Sequence, residues 1–247
     1  MNYQVLQNRI ERVVNKILSS IVDPDLKKLV EEKAFLTGGC FKAIWHGEKV
    51  NDYDFYFMDR ESADKFKELI TKGLEKPETT PFTNQDQLKL FGFNSPFNTS
   101  KSEFAITFML EEEFKVQFIT KYVGTPEVVT GRFDFLHTQN YYVLKHSVFK
   151  VNYPVLQAKE LVFNEKATHP VHALKRLKKF LAQGWTIEDS EIIKMAEAIN
   201  KLDMDTFGNW KEQTAAMYSD YQQNGIVIFN NNIATEKTKQ NLIKWVD

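Results

Sequence analysis

The sequence predicts an α/β chain of the α+β kind: a small mixed, mostly antiparallel sheet with helices packed on it, then a helical C-terminal region. Three observations predict it. Apolar residues recur at three- and four-residue steps in several windows, the period of a helix. Between those windows lie short aromatic and β-branched runs that read as strands. The chain has 247 residues, 43% hydrophobic and 26% charged, which is a globular composition with length enough for its own core. That excludes a wholly disordered chain. No apolar run reaches the roughly 18 residues of a membrane helix. Met1 to Ile10 has no apolar stretch bounded by a cleavage site, so a signal peptide is not expected. A single cysteine, Cys40, excludes an internal disulfide and a multi-cysteine zinc site. A reducing compartment is expected, the cytoplasm or a host cytoplasm.

The elements follow in order. Val5, Leu6, Ile10, Val13, Val14, Ile17, Leu18 and Ile21 form one apolar face of a helix over Tyr3 to Ser20. Asp23 is an N-cap and Pro24 the first residue of a second helix, to about Glu32. Ala34 to Thr37 is a short strand stopped by Gly38-Gly39, and Cys40 to His46 a short helix ending at Gly47. Tyr53 to Met58 reads as a strand and Glu61 to Lys72 as a helix closed by Gly73. Lys76 to Gln87 and Asn94 to Ser100 read as loops. Leu88 to Phe93, Glu103 to Leu110 and Phe114 to Lys121 read as strands, the last two joined by a turn at Glu111-Glu112-Glu113. Phe135 to Phe149, His172 to Leu181, Asp189 to Leu202 and Thr235 to Trp245 read as helices, with a brief apolar run at Ile226 to Phe229. The expected seam falls between about Asn152 and Thr168, dividing the chain into residues 1–152 and 153–247.

Two features carry possible chemistry. On a strand, Asp52 and Asp54 point to one face, about 6.5–7 Å apart at Cα. Like charges so placed repel unless a cation lies between them. Magnesium favours one or two carboxylates with waters and substrate phosphates. Asp-x-Asp alone is a weak signal, since the chain has two more, at Asp23/Asp25 and Asp203/Asp205. Gly38-Gly39, between a strand and a helix, would let backbone amides approach a phosphate, or would simply make a tight turn. No dinucleotide fingerprint, P-loop or nucleophile-elbow motif is present. Net charge is −1, yet Tyr141 to Phe180 holds eight Lys/Arg against two Glu. That segment is either a solvated face or a polyanion contact.

Together these segments resemble the polymerase-β-type nucleotidyltransferases. The head of the class II poly(A) polymerases and CCA-adding tRNA nucleotidyltransferases is the subgroup they resemble most. The stretch Leu36-Thr-Gly-Gly-Cys-Phe-Lys-Ala43, then Asp52-Tyr-Asp54, follows that family's Gly-Gly-x-Val-Arg-Asp and Asp-x-Asp pattern, with Ala43 in place of Asp. Arg132-Phe-Asp134-Phe135 resembles its Arg-Arg-Asp-Phe motif, with Phe133 at the second Arg and Thr138 at the later Asn. His169-Pro170-Val-His172-Ala-Leu-Lys175-Arg176-Leu-Lys178 resembles its neck helix, with His169 and His172 where the base-reading Asp and Arg stand.

The resemblance implies a Mg2+- or Mn2+-dependent transfer of a nucleoside monophosphate from a nucleoside triphosphate to an acceptor hydroxyl, an RNA 3′ end first. Asp52 and Asp54 would be catalytic and hold two metals. Gly38, Gly39, Lys42, Arg132 and Asp134 would bind nucleotide, as would His169, His172, Lys175, Arg176 and Lys178. Gln117 falls where related enzymes carry a third carboxylate, and Glu103 is the alternative ligand. About 55 residues follow the neck, leaving little expected room for the body and tail that hold a tRNA. A protein side chain, as in nucleotidylating toxins, or a small molecule is therefore an alternative acceptor, and a catalytically silent binding module is the other alternative. The remaining residues have plainer readings: Cys40, His137 and His146 packed or on the surface, and Tyr141 and Tyr142 as stacking residues.

Overall fold

The computed structural model describes residues 1–72, 98–101, 105–111, 114–202 and Gln213. Its architecture is the mixed α/β arrangement expected. The described elements run α1 (Tyr3–Ser20), α2 (Pro24–Lys33), β1 (Ala34–Thr37), α3 (Cys40–His46), β2 (Tyr53–Phe57), α4 (Arg60–Lys72) and β3 (Asn98–Lys101). They continue with β4 (Ala105–Glu111), β5 (Phe114–Val123), α5 (Pro126–Thr130), β6 (Tyr141–Val143), β7 (Val148–Lys150) and α6 (Tyr153–Ala158). The last are β8 (Glu160–Leu161), α7 (Pro170–Ala182), β9 (Thr186–Ile187) and α8 (Asp189–Asn200).

Capping sets the first helices. Asn2 accepts from Val5 N at 2.9 Å, and Asp23 from Leu26 N at 2.8 Å with Pro24 in the first turn. Gly47 ends α3 in the left-handed region at φ 69°. Asp59 starts α4 by accepting from Ser62 N at 2.7 Å.

The main sheet has seven described strands in the order β3-β4-β5-β2-β1-β6-β7. Only β2 and β5 run parallel; every other pair is antiparallel. Along β2 the alternation is strict. Tyr53, Phe55 and Phe57 are buried beneath the helices, so Asp52, Asp54 and Tyr56 take the other face. Phe55, Phe57, Phe66 and Phe118 form an aromatic cluster with ring centroids 4.6–6.2 Å apart. Leu6, Ile10, Val14 and Ile17 of α1 complete this core. A second core gathers Phe135, Leu161, Phe163, Ala173, Phe180, Trp185 and Met195 around α7 and α8.

Three sequence expectations fail here. Phe135 to Phe149 is a single 3-10 turn at Leu136–Thr138 followed by the β6–β7 hairpin, not a helix. The free edge of β1 recruits Tyr141–Val143, and Asn140 fixes the entry by donating to His137 O and accepting from Asn152 N, both at 2.7 Å. Tyr141 and Tyr142 are thus buried sheet residues, each 5% exposed, and offer no stacking surface. Asn98 to Ser100 is not loop but edge strand, where backbone pairing to β4 tolerates polar residues. The short helices α5 and α6, each with proline in its first turn, were not foreseen. The expectations for Gly73, Lys76 to Gln87, Leu88 to Phe93, Glu103, Glu112-Glu113, Asp203/Asp205 and residues 226–245 lie outside the described residues.

The stretch after α6 is tied back to the sheet side by backbone hydrogen bonds. Leu136 N donates to Val162 O, Asn164 N to Asp134 O, and Thr168 N to Arg132 O. α7 lies across from the polar face of β2.

Candidate functional site

Between β2 and α7 lies a cleft of about 620 Å³. Its floor is the polar face of β2: Asp52, Asp54 and Tyr56. One wall is the Gly38-Gly39 turn with the start of α3, and the facing wall is α7, through Arg176, Lys179 and Phe180. The sequence-predicted Gly38, Gly39, Lys42, Asp52, Asp54, Asp134 and Arg176 all line this one cleft.

Gly38 is required by conformation and by space. Its φ is +90°, and a Cβ there would sit 3.3 Å from Asp54 Oδ2. Gly39 has nothing within 4 Å of its would-be Cβ, so its backbone is open to the cleft. Asp54 Oδ1 is buried with no hydrogen-bond partner among the described residues. Burial, and then the charge of Asp52, push the Asp54 carboxyl up to about 7; Lys115, Arg176 and Lys179 oppose that rise. Asp52 is ion-paired with Lys115, which the parallel β2–β5 pairing brings alongside. The same register sets Gln117 opposite Asp54, and Gln117 Nε2 lies 3.3 Å from Thr107 Oγ1. Gln117 therefore does stand beside the carboxylate pair, as a neutral amide. Cys40 is buried; burial and the nearby Asp54 hold its thiol well above the ordinary range, which fits a packed residue and not a nucleophile.

Lys42 lines the cleft, but its ammonium is engaged elsewhere. Nζ is 2.7 Å from Glu48 Oε2 and 2.6 Å from Gln183 Oε1, and only 7% of its side chain is exposed. Glu48 also receives Lys159 at 3.2 Å. Burial raises the Glu48 carboxyl, but the two lysines outweigh it and leave it below the usual carboxylate value. Asp134, 3% exposed, is ion-paired with Arg176 across the cleft. Burial raises its carboxyl, and the Arg176 charge recovers only part.

Arg132, His169, His172, Lys175 and Lys178 do not line this cleft. Arg132 is exposed, and its backbone carbonyl holds Thr168. His169 and His172 stack on each other with ring centroids 5.5 Å apart. Burial and the neighbouring Arg176 push His172 down to about 4. His172, Lys175 and Lys178 line a second hollow on the outer side of α7, which shares Arg176 and Lys179 with the cleft. Sequence reasoning missed Tyr56, Lys115, Glu48, Lys179 and Gln183 as neighbours of the site. Tyr56 was legible as the next residue on the Asp52–Asp54 face, and Lys179 as the residue one turn after Arg176 on one helix. Lys115, Glu48 and Gln183 depend on register and on contacts up to 141 residues apart.

The sheet, with Asp54 on its central strand beneath the Gly-Gly turn, has the nucleotidyltransferase fold. A CCA-adding enzyme solved with ATP shares that fold at a TM-score of 0.51 and 15% identity, over 90% of this chain and 57% of that one. A second structure, the apo form I of a CCA-adding enzyme, aligns at 0.47 and 15% identity, over 83% of this chain and 50% of that one. Residues 4–173 match the sequence model of the Gabija anti-defense 2 family, and the chain belongs to that family. "Gabija anti-defense 2" of Bacillus phage SPbetaL7 is 22% identical over 208 residues. That match covers 83% of this chain and 46% of the phage protein, so the chain spans under half of that relative's length.

Proposed function

We propose that this chain is a metal-dependent nucleotidyltransferase that moves a nucleoside monophosphate from a nucleoside triphosphate to an acceptor hydroxyl, an RNA 3′ hydroxyl first. The carrying observation is the pair formed by Asp52, just before β2, and Asp54 on it, both lining the cleft floor, with Asp54 Oδ1 buried and unbonded among the described residues. A buried carboxylate oxygen without a donor costs stability unless a cation completes it. Lys115 already stands as a cation against Asp52. The donor set therefore fits a hard divalent ion, Mg2+ or Mn2+, held by Asp52 and Asp54. When bound, the ion supplies charge neutralisation at the phosphates and acidification of the acceptor hydroxyl.

The chain's own residues do the rest. Gly38 and Gly39, having no side chains, would present backbone to the triphosphate, and the space at Gly39 is open. Arg176 and Lys179 set positive charge opposite the carboxylates, where phosphates would lie. Asp134 holds the Arg176 guanidinium in place. Lys42 serves as a buried strut between α3 and the end of α7. Lys175 and Lys178, on the outer side of α7, would meet an extended polyanion. Membership in the Gabija anti-defense 2 family, with a phage relative, supports anti-defense in a host cytoplasm as the setting of the reaction. One observation favours a silent binding module instead: Gln117 is neutral at the register position beside Asp54.

The test is a transfer assay. The protein is incubated with Mg2+, each labelled nucleoside triphosphate in turn, and total cellular RNA, beside Asp52→Ala/Asp54→Ala. Label in RNA with wild type alone supports the reading and names the nucleotide. Label on protein moves the acceptor to a side chain. No label, with no nucleotide-induced change in melting temperature, overturns the transferase reading and favours the silent module.

A further inference from the structure

We infer that Lys115 is a built-in counterion that makes divalent-cation binding at Asp52–Asp54 depend on the triphosphate arriving with it. The inference rests on the metal-site reading above and concerns the order in which that site fills. Asp52 and Asp54 carry two negative charges on one strand face. The parallel register of β2 and β5 brings Lys115 to Asp52, and the two are ion-paired. Gln117, at the register position beside Asp54, adds no charge. Arg176 and Lys179 face the pair from α7, and Arg176 has Asp134 as its own partner. Lys115 thus matches the charge of Asp52, and Arg176 and Lys179 offset part of that of Asp54, before any triphosphate enters. A hard cation is retained in proportion to the anionic ligands it meets. Against Lys115, the carboxylate pair without a triphosphate beside it offers a cation little net attraction.

A nucleoside triphosphate reverses this balance. It brings several negative charges to a cleft lined by Arg176 and Lys179, with Lys115 paired to Asp52 of its floor. The Lys115 side chain is 35% exposed, so its ammonium can leave Asp52 for a phosphate or for water without being buried unpaired. The free protein therefore rests with Asp52 neutralised by Lys115, and cation and nucleotide enter as one complex.

The experiment follows Mn2+ by water-proton relaxation enhancement, which responds to the ion on a slowly tumbling protein far more than on free nucleotide. The full chain is titrated with Mn2+ alone and with Mn2+ plus a non-hydrolysable triphosphate analogue. Lys115→Met is titrated with Mn2+ alone, with Lys115→Gln as a second variant and thermal melts confirming that each is folded. Wild type should bind Mn2+ at least about tenfold more tightly with the analogue than without, the scale of one partly screened charge contact. Lys115→Met should bind Mn2+ alone about tenfold more tightly than wild type does, and adding Asp52→Asn should abolish that gain. Equal Mn2+ affinity with and without the analogue overturns the counterion while leaving the metal site standing. Folded Lys115 variants that bind Mn2+ no better than wild type overturn it too. No enhancement in any protein, even with the analogue, overturns the metal site itself.

Discussion

Replacing Asp54 by Asn should stabilise the protein at alkaline pH and do almost nothing at acid pH. The folded carboxyl sits near 7, against an ordinary value of 3.8, mainly because it is buried and then because Asp52 is close. A carboxyl raised in the folded state favours folding only in its protonated form. Its stability cost is absent below about pH 4, accumulates as pH rises, and is complete above about pH 7. The difference between 3.8 and about 7 corresponds to about 4 kcal/mol at its limit. Local relaxation and water would leave about 2–4 kcal/mol. For a chain of this size that is roughly 5–10 °C in melting temperature. Asn keeps the shape and removes the charge, so the variant should melt higher by that amount at pH 8. The gap should shrink by more than half at pH 5. Mg2+ with a non-hydrolysable triphosphate should raise wild type at pH 8 and leave the variant where it is. The assay is a set of thermal melts from pH 5 to 8.5. A variant that melts at or below wild type at pH 8, or by a margin independent of pH, would refute the claim that burial and Asp52 disfavour this charge.

Other outcomes follow from the same geometry. Gly38→Ala adds a Cβ 3.3 Å from Asp54 Oδ2 at φ +90°, and should cost about 1–2 kcal/mol, read by denaturant unfolding, with weakened nucleotide binding. Glu48→Gln leaves the buried Lys42 ammonium without its carboxylate and should cost about 3 kcal/mol; Lys42→Met in the same chain should recover much of that, measured as a double-mutant cycle. Arg176→Ala strips the buried Asp134 of its cation, so it should cost about 1–3 kcal/mol at pH 7 and progressively less as pH falls, because the Asp134 carboxyl, raised by burial, takes up a proton. His137 is fully buried among Phe135, Phe180 and Trp185, and burial pushes it down to about 3. A base lowered in this way loses folded stability as pH falls below about 6.5. His137→Phe should therefore flatten the acid side of the stability profile, checked by melts between pH 4 and 7.

Much of this protein is written locally. Helix periodicity, the Asn2, Asp23 and Gly47 caps, and the aromatic alternation of β2 depend on neighbours in sequence, and the structure has those elements where the residues imply. That Asp52 and Asp54 share a face was legible for the same reason, since a strand's period of two needs no distant information, whereas their meeting with Gly38-Gly39 was only implied by the family resemblance and is made by the antiparallel β1–β2 register, which sets Thr37 opposite Asp54. What the sequence by itself could not decide is which strand lies beside which. The free edge of β1 turned an apparently helical Phe135–Phe149 into a hairpin, because pairing along a strand outweighs a weak propensity. Only the parallel β2–β5 register sets Lys115 against Asp52 and Gln117 beside Asp54. Only the packing of α7 brings Arg176 to Asp134 and Gln183 to Lys42, while leaving Lys175 and Lys178 on the far side of the helix. Residue types along the chain set the chemistry available, but the charge balance of the cleft is a sum over short distances, and those distances exist only once the sheet and α7 have packed.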